Sequence, residues 1–110
     1  MAITRAVLLR AISEVGYAQQ VYDLARYYHW RVYRTHDSRH SPAGYPDLSM
    51  VHGRRHVYAE IKAEKGKLTP EQRAWLVALH EAGHEVMVWR PSSWSLVVDV
   101  LSGAYVGFVV

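Results

Sequence analysis

Gly44-Tyr45-Pro46-Asp47-Leu48 and, beyond a short turn at His52-Gly53-Arg54-Arg55, Tyr58-Ala59-Glu60-Ile61-Lys62 decide how this chain is read. Both stretches read as strands, the first beginning at a proline. Strand side chains at i and i+2 share a face, so Glu60 and Lys62 stand side by side while Ile61 points the other way. The spacing predicts one chemical face and one apolar face. Pairing the two strands as a hairpin brings Asp47 opposite the chemical face. Two carboxylates are then placed to hold a hard divalent cation through oxygen, with an ammonium beside them. That is the equipment of metal-assisted phosphodiester hydrolysis.

Working outward, 110 residues make a single domain, 1–110, long enough to bury one core. Half of the residues are hydrophobic and charge is spread along the chain, which argues against disorder. The formal net charge of +3, with arginine outnumbering lysine, suits a polyanionic partner, although many soluble proteins share such an excess. There are no cysteines, which excludes disulfides, thiolate zinc sites and a cysteine nucleophile, and fits a reducing cytoplasm. Arginines interrupt each apolar piece of residues 1–12, so no signal-peptide core forms. No window reaches the roughly 20 apolar residues that span a bilayer. The expected setting is therefore intracellular, with no membrane partner.

Ser13 is a candidate N-cap, and Tyr17, Val21, Leu24, Ala25 and Tyr28 recur at helical spacing, predicting a helix over 13–29. Gly16 in its first turns costs about 1 kcal/mol relative to alanine. Residues 1–12 read equally as a strand, an extra helical turn or a dimer contact. Trp30-Arg31-Val32-Tyr33-Arg34 is a first strand, 35–45 a polar loop, and 47–51 a second strand entered through Pro46, whose missing N–H confines it to a strand edge or start. A third strand follows over 56–62. Thr69-Pro70-Glu71-Gln72 combines an N-cap, a proline at the first helical position and a glutamine two residues on, which makes a capping box. A helix over 70–82 follows, with Trp75, Leu76 and Leu79 inward and Gly83 as its stop. Glu85-Val86-Met87-Val88-Trp89-Arg90 is a strand covered on both faces. A helical or turn segment runs over 94–101, and 103–110 is an apolar tail of β character whose exposure would favour a second chain.

With the two opening stretches, Gly66-Lys67-Leu68-Thr69-Pro70-Glu71-Gln72-Arg73-Ala74-Trp75-Leu76, Ala82-Gly83 and Val88-Trp89-Arg90-Pro91-Ser92 complete a pattern that resembles the VRR-NUC family of the PD-(D/E)xK nuclease superfamily. The superfamily signature falls on Pro46-Asp47 and Glu60-Ile61-Lys62, and the resemblance runs over about 13–101. It implies an α/β fold with the restriction-endonuclease-like core, a mixed central sheet flanked by helices in the order α-β-β-β-α-β. It implies a Mg2+- or Mn2+-dependent endodeoxyribonuclease leaving a 5′-phosphate and a 3′-hydroxyl. Stand-alone members of this size resemble phage and bacterial enzymes that act as homodimers on branched DNA such as Holliday junctions, which implies the cytoplasm of a bacterium or a phage-infected host. The larger eukaryotic member is a flap nuclease in crosslink repair.

The resemblance implies that Asp47, Glu60 and the backbone carbonyl of Ile61 hold the metal. It implies that Lys62 assists the attacking water or the charge that develops on the phosphate, and that Gln72 belongs to the active-site pattern. It matches Glu14 to an acid on the first helix that binds the metal or its water. Each residue also has a plainer reading. Asp47 can be a turn aspartate after proline. Lys62 can be a surface partner of Glu60 or Glu64. Gln72 can serve only the capping box, and Glu14 only the helix dipole. Glu60 resists such a reading, because a carboxylate among Val57, Tyr58, Ala59 and Ile61 is costly if buried without a partner.

Lys67, Arg54, Arg55, Arg39, Arg34 and Arg73 are candidate phosphate contacts around the site, and Tyr45 either stacks on a base or packs. Of the seven histidines, His36 and His40 lie on the loop before the site, within reach of phosphate. His80 and His84 are separated by the helix stop at Gly83 and find no evident third zinc ligand. Two rival functions stand beside the nuclease: a DNA-binding module on an inactive nuclease fold, and a protein in which the charged residues form only a surface ion pair. The intact Asp47, Glu60 and Lys62 weigh against the first.

Overall fold

Thr4 accepts a hydrogen bond from the Val7 N–H at 3.3 Å and starts a short helix, α1 (Arg5–Ala11), so the ambiguous beginning of the chain is helical there. None of the residues of α1 is buried. The computed structural model describes residues 3–35 and 42–104. Ser13 takes the Gly16 N–H at 3.0 Å and caps α2 (Glu14–Tyr27), whose predicted apolar stripe buries Tyr17, Val21 and Ala25. No described helix is long and apolar enough to cross a membrane.

Among the described residues, four strands follow from the β-branched and aromatic runs: β1 (Arg31–Arg34), β2 (Leu48–His52), β3 (Arg55–Ile61) and β4 (Glu85–Trp89). They form one sheet in the order β1-β2-β3-β4. The first three are antiparallel, and β4 joins β3 in parallel. A parallel neighbour needs a crossover. The crossover is α3 (Pro70–Glu81), and its predicted capping box is formed in full by Thr69 and Gln72. A 3-10 turn at Pro91–Ser93 leads into α4 (Trp94–Ser102).

One face of the sheet carries Leu48, Met50, Val57, Ala59, Ile61, Met87 and Trp89 into a core with α2 and α4, which contributes Val97, Val100 and Leu101. Each large aliphatic side chain buried there contributes about 1.5–3 kcal/mol. On the other face α3 covers Tyr58 and Val86 with Leu76, which is fully buried, while Trp75 and Leu79 are half-buried. Both faces of β4 are covered, as its nearly continuous apolar run predicts. The chemical face expected on β3 is covered too. Glu60 is 2% exposed, because α3 lies over the face that alternation assigns to it.

Strand direction then positions the site. β3 and β1 end where β2 begins, and Glu14 and Gln72, from the first turns of α2 and α3, line the cleft at this same end of the sheet.

Candidate active site

The β2–β3 register pairs Leu48 with Ala59. One residue further along this antiparallel ladder, Asp47 stands across from Glu60 on the α3 side. Asp47 is held from both directions. Its Oδ2 accepts the Ile61 N–H at 2.8 Å, and its backbone carbonyl accepts the Thr35 N–H at 2.8 Å. The Thr35 hydroxyl donates to the Pro46 carbonyl at 2.7 Å. Thr35 is a positioning residue that the sequence reading missed. Its only signal is its place at the end of the β1 pattern.

Gln72 forms the predicted capping box and also reaches the Glu60 carboxylate. Its Oε1 accepts the Thr69 N–H at 2.9 Å, and its Nε2 donates to Glu60 Oε1 at 3.3 Å. The loop carrying Asp47 is pressed against the same helix start. Gly44 has φ +95°, and a Cβ there would fall 2.5 Å from the carbonyl carbon of Glu71 and 2.8 Å from the Gln72 nitrogen. Only a residue without a side chain lets the loop pass.

Glu60 Oε2 is buried and has no hydrogen-bond donor among the described residues. Burial, and then the carboxyl group of Asp47 beside it, push the Glu60 carboxyl up to about 9, with Glu14 adding to the rise and Lys62 pulling the other way. The two acids can share a hydrogen bond only when one of them holds a proton. Two facing carboxylates with little water need either that proton or a cation between them. These groups open on a cleft of about 510 Å³ lined by Glu14, Val15, Ala18, Arg34, Thr35, Asp47, Leu48, Glu60, Ile61, Lys62 and Gln72.

No three Asp, Glu or His side chains gather into a metal-binding group among the described residues. Asp47 and Glu60 form the close pair, and Glu14 faces them from the wall of α2. A magnesium-like cation commonly takes one or two carboxylates and keeps several waters, so the pair with its orphaned oxygen fits such an ion. A larger, mostly apolar groove of about 680 Å³ lies between α1, α2 and the Pro91–Trp94 corner, and it holds no acid pair.

The family model described as VRR-NUC domain matches residues 7–92. The chain belongs to the VRR-NUC family. A VRR-NUC domain is a nuclease domain of PD-(D/E)xK type, acts on DNA and belongs to a group that generally uses divalent metals. The mixed sheet of four strands with four helices among the described residues is the expected fold. No curated protein and no solved structure matches the chain.

On this VRR-NUC domain the candidate DNA contacts separate. Arg34 lines the cleft, and Lys67 and Arg73 are exposed near the start of α3. Arg54 and Arg55 lie at the β2–β3 turn, about 20 Å away along β3. They do not border the cleft, contrary to the expectation that these arginines surround the site. The Arg55 guanidinium binds both oxygens of Glu85, at 2.7 and 3.0 Å, and the Val100 carbonyl at 3.1 Å, which makes it a structural tie. Tyr45 is half-buried edge-on to Trp75 and Tyr58, with ring centroids 5.0 and 6.0 Å away, which favours its packing reading. Arg39, His36 and His40 lie outside the described residues, as do residues 105–110 of the apolar tail.

Proposed function

We propose that this VRR-NUC domain is a divalent-metal-dependent endodeoxyribonuclease that cuts branched DNA as a homodimer. The observation that carries the metal reading is the buried Glu60, with an oxygen that has no donor among the described residues, beside Asp47 in the cleft. Asp47, Glu60 and the Ile61 carbonyl would hold Mg2+ or Mn2+, and Glu14 would face the ion from across the cleft. A bound cation supplies positive charge at the phosphate and acidifies water.

The protein's own groups do the rest. Gln72 and the Ile61 N–H keep the two acids from turning away. Lys62 lines the cleft, and its ammonium orients the attacking water and stabilises charge that grows on the phosphate. The first turn of α3 adds a positive dipole end for the anion. Lys67, Arg73 and Arg34 contact flanking phosphates.

The dimer is supported by α1 and by Ile3, two residues before it. Ile3, Val7 and Leu8 are 66%, 52% and 54% exposed, an apolar surface that a second copy would cover. Two-fold symmetry would then put two sites on one junction, one for each strand. Sedimentation of the purified chain at micromolar concentration tests this, and a monomer there would refute it.

The catalytic reading is tested with labelled linear, nicked, flap and four-way DNA in Mg2+ or Mn2+. The expected result is cleavage favouring the branched substrates, lost with EDTA and reduced at least about 100-fold by Lys62→Met or Glu60→Gln with binding retained. Binding without cleavage of any substrate would make the chain a DNA-binding module. Cleavage unchanged by either substitution would remove both residues from the mechanism.

A further inference from the structure

Glu14, Ala18, Tyr22 and Arg26 are spaced four apart and climb α2 as one ridge. The ridge begins as a wall of the cleft, where Glu14 and Ala18 line it, and runs about 12 Å further from Ala18 to Arg26. Beyond the cleft it becomes cationic. The Arg34 guanidinium, on the cleft wall from β1, lies over the Tyr22 ring at 5.0 Å from its centroid, and Arg26 lies over the same ring at 5.7 Å.

Neutral groups hold both arginines in place. Arg34 donates to Gln19 Oε1 at 2.9 Å, and Arg26 donates to the Tyr22 hydroxyl at 3.3 Å. Asp23, three residues before Arg26, is bridged to Arg34 through Gln19, from whose Nε2 it accepts at 2.9 Å, and it also lines the apolar groove. Neither Arg26 nor Arg34 forms an ion pair among the described residues. Ordering two long side chains has an entropic cost. Here the tyrosine ring and the glutamine amide offset it without neutralising either charge, so the cations remain available to an outside anion.

We propose that Arg34 and Arg26, stacked on Tyr22, form a track for two neighbouring phosphates of the DNA strand as it leaves the cleft over α2. Resting on the nuclease reading, this gives the strand a direction: the scissile phosphate lies at Asp47 and Glu60, and the chain continues past Arg34 to Arg26. The contacts are to the backbone and carry no base preference.

The test is fluorescence anisotropy of a labelled duplex with the full chain in EDTA, measured over a range of salt. Arg26→Gln and Arg34→Gln should each weaken binding several-fold and lower the slope of log K against log salt by about 0.9. Tyr22→Leu should weaken it similarly, whereas Tyr22→Phe, which keeps the ring, should bind almost as the parent does. Arg54→Gln, at the far end of the sheet, should leave the slope unchanged. A parent-like slope in both Arg26→Gln and Arg34→Gln, or an equal loss in Arg54→Gln, would overturn the track. If the parent chain cuts DNA while these variants keep its slope, the track alone fails. If the parent neither binds nor cuts, the nuclease reading fails with it.

Discussion

Glu60 is the residue at which composition, strand chemistry and function meet. An acid is depleted in strands and costly in a core, and its isolation among Val57, Tyr58, Ala59 and Ile61 is visible in the sequence. What the sequence does not carry is how far its proton affinity rises, since that depends on α3 shutting out water and on Asp47 standing across the ladder. The sign of the consequence is definite. In the unfolded chain the carboxyl ionises near 4.5, while in the fold it holds its proton up to about 9. Between these values the folded state binds the extra proton, so this group favours folding fully below about pH 4.5, and its contribution declines as pH rises toward 9. The limiting slope is about 1.4 kcal/mol per pH unit. Urea unfolding of the metal-free chain should therefore show stability falling over that window. Glu60→Gln should flatten the dependence, and added Mg2+ or Mn2+ should stabilise the parent more at pH 8 than at pH 6. An equal dependence in Glu60→Gln would assign it to other groups.

The helix ends divide by whether their chemistry is local. Thr69, Pro70 and Gln72 announce the start of α3 because every bond in a capping box joins residues close in sequence. Gly83 announces its end, with φ +95° and the His84 N–H returning to the Leu79 carbonyl at 3.1 Å. α2 closes in the same way at His29, φ 68°, with the Trp30 N–H on the Ala25 carbonyl at 3.0 Å. Histidine rarely marks that turn, so only the approximate end of α2 was legible. Gly44 depends on tertiary contact in another way, since its neighbour is the backbone of α3. Gly44→Ala meets both a left-handed backbone and a collision with Glu71 and Gln72. It should cost about 2 kcal/mol or more in a thermal melt and displace Asp47 from Gln72, lowering cleavage beyond the loss of folded protein. A melt and a cleavage rate both like those of the parent would show that the loop can retreat from α3.

At the scale of the whole molecule, Arg55 shows how far a charge can lie from its expected role. It closes the end of the sheet opposite the cleft, joining the hairpin to Glu85 of β4 and to the Val100 carbonyl of α4, with its guanidinium 5.3 Å from the centre of the Trp30 ring. Arg55→Ala leaves Glu85, which is 8% exposed, without its bidentate partner. The expected cost is about 3 kcal/mol in urea unfolding, with the salt dependence of DNA binding unchanged. A stable variant with a reduced salt slope would return Arg55 to the DNA surface.

The sequence by itself determined the order of the elements from α2 to β4, the strand pair carrying Asp47, Glu60 and Lys62, and the family, because alternation, capping and turn chemistry act over a few residues. Tertiary structure alone decided that Glu60 is buried, that Gln72 bonds it, that Thr35 and Gly44 fix the Asp47 loop, and which arginines border the cleft. Those relations join residues far apart in the chain, and local periodicity has no information about which sheet end or helix start will lie beside them.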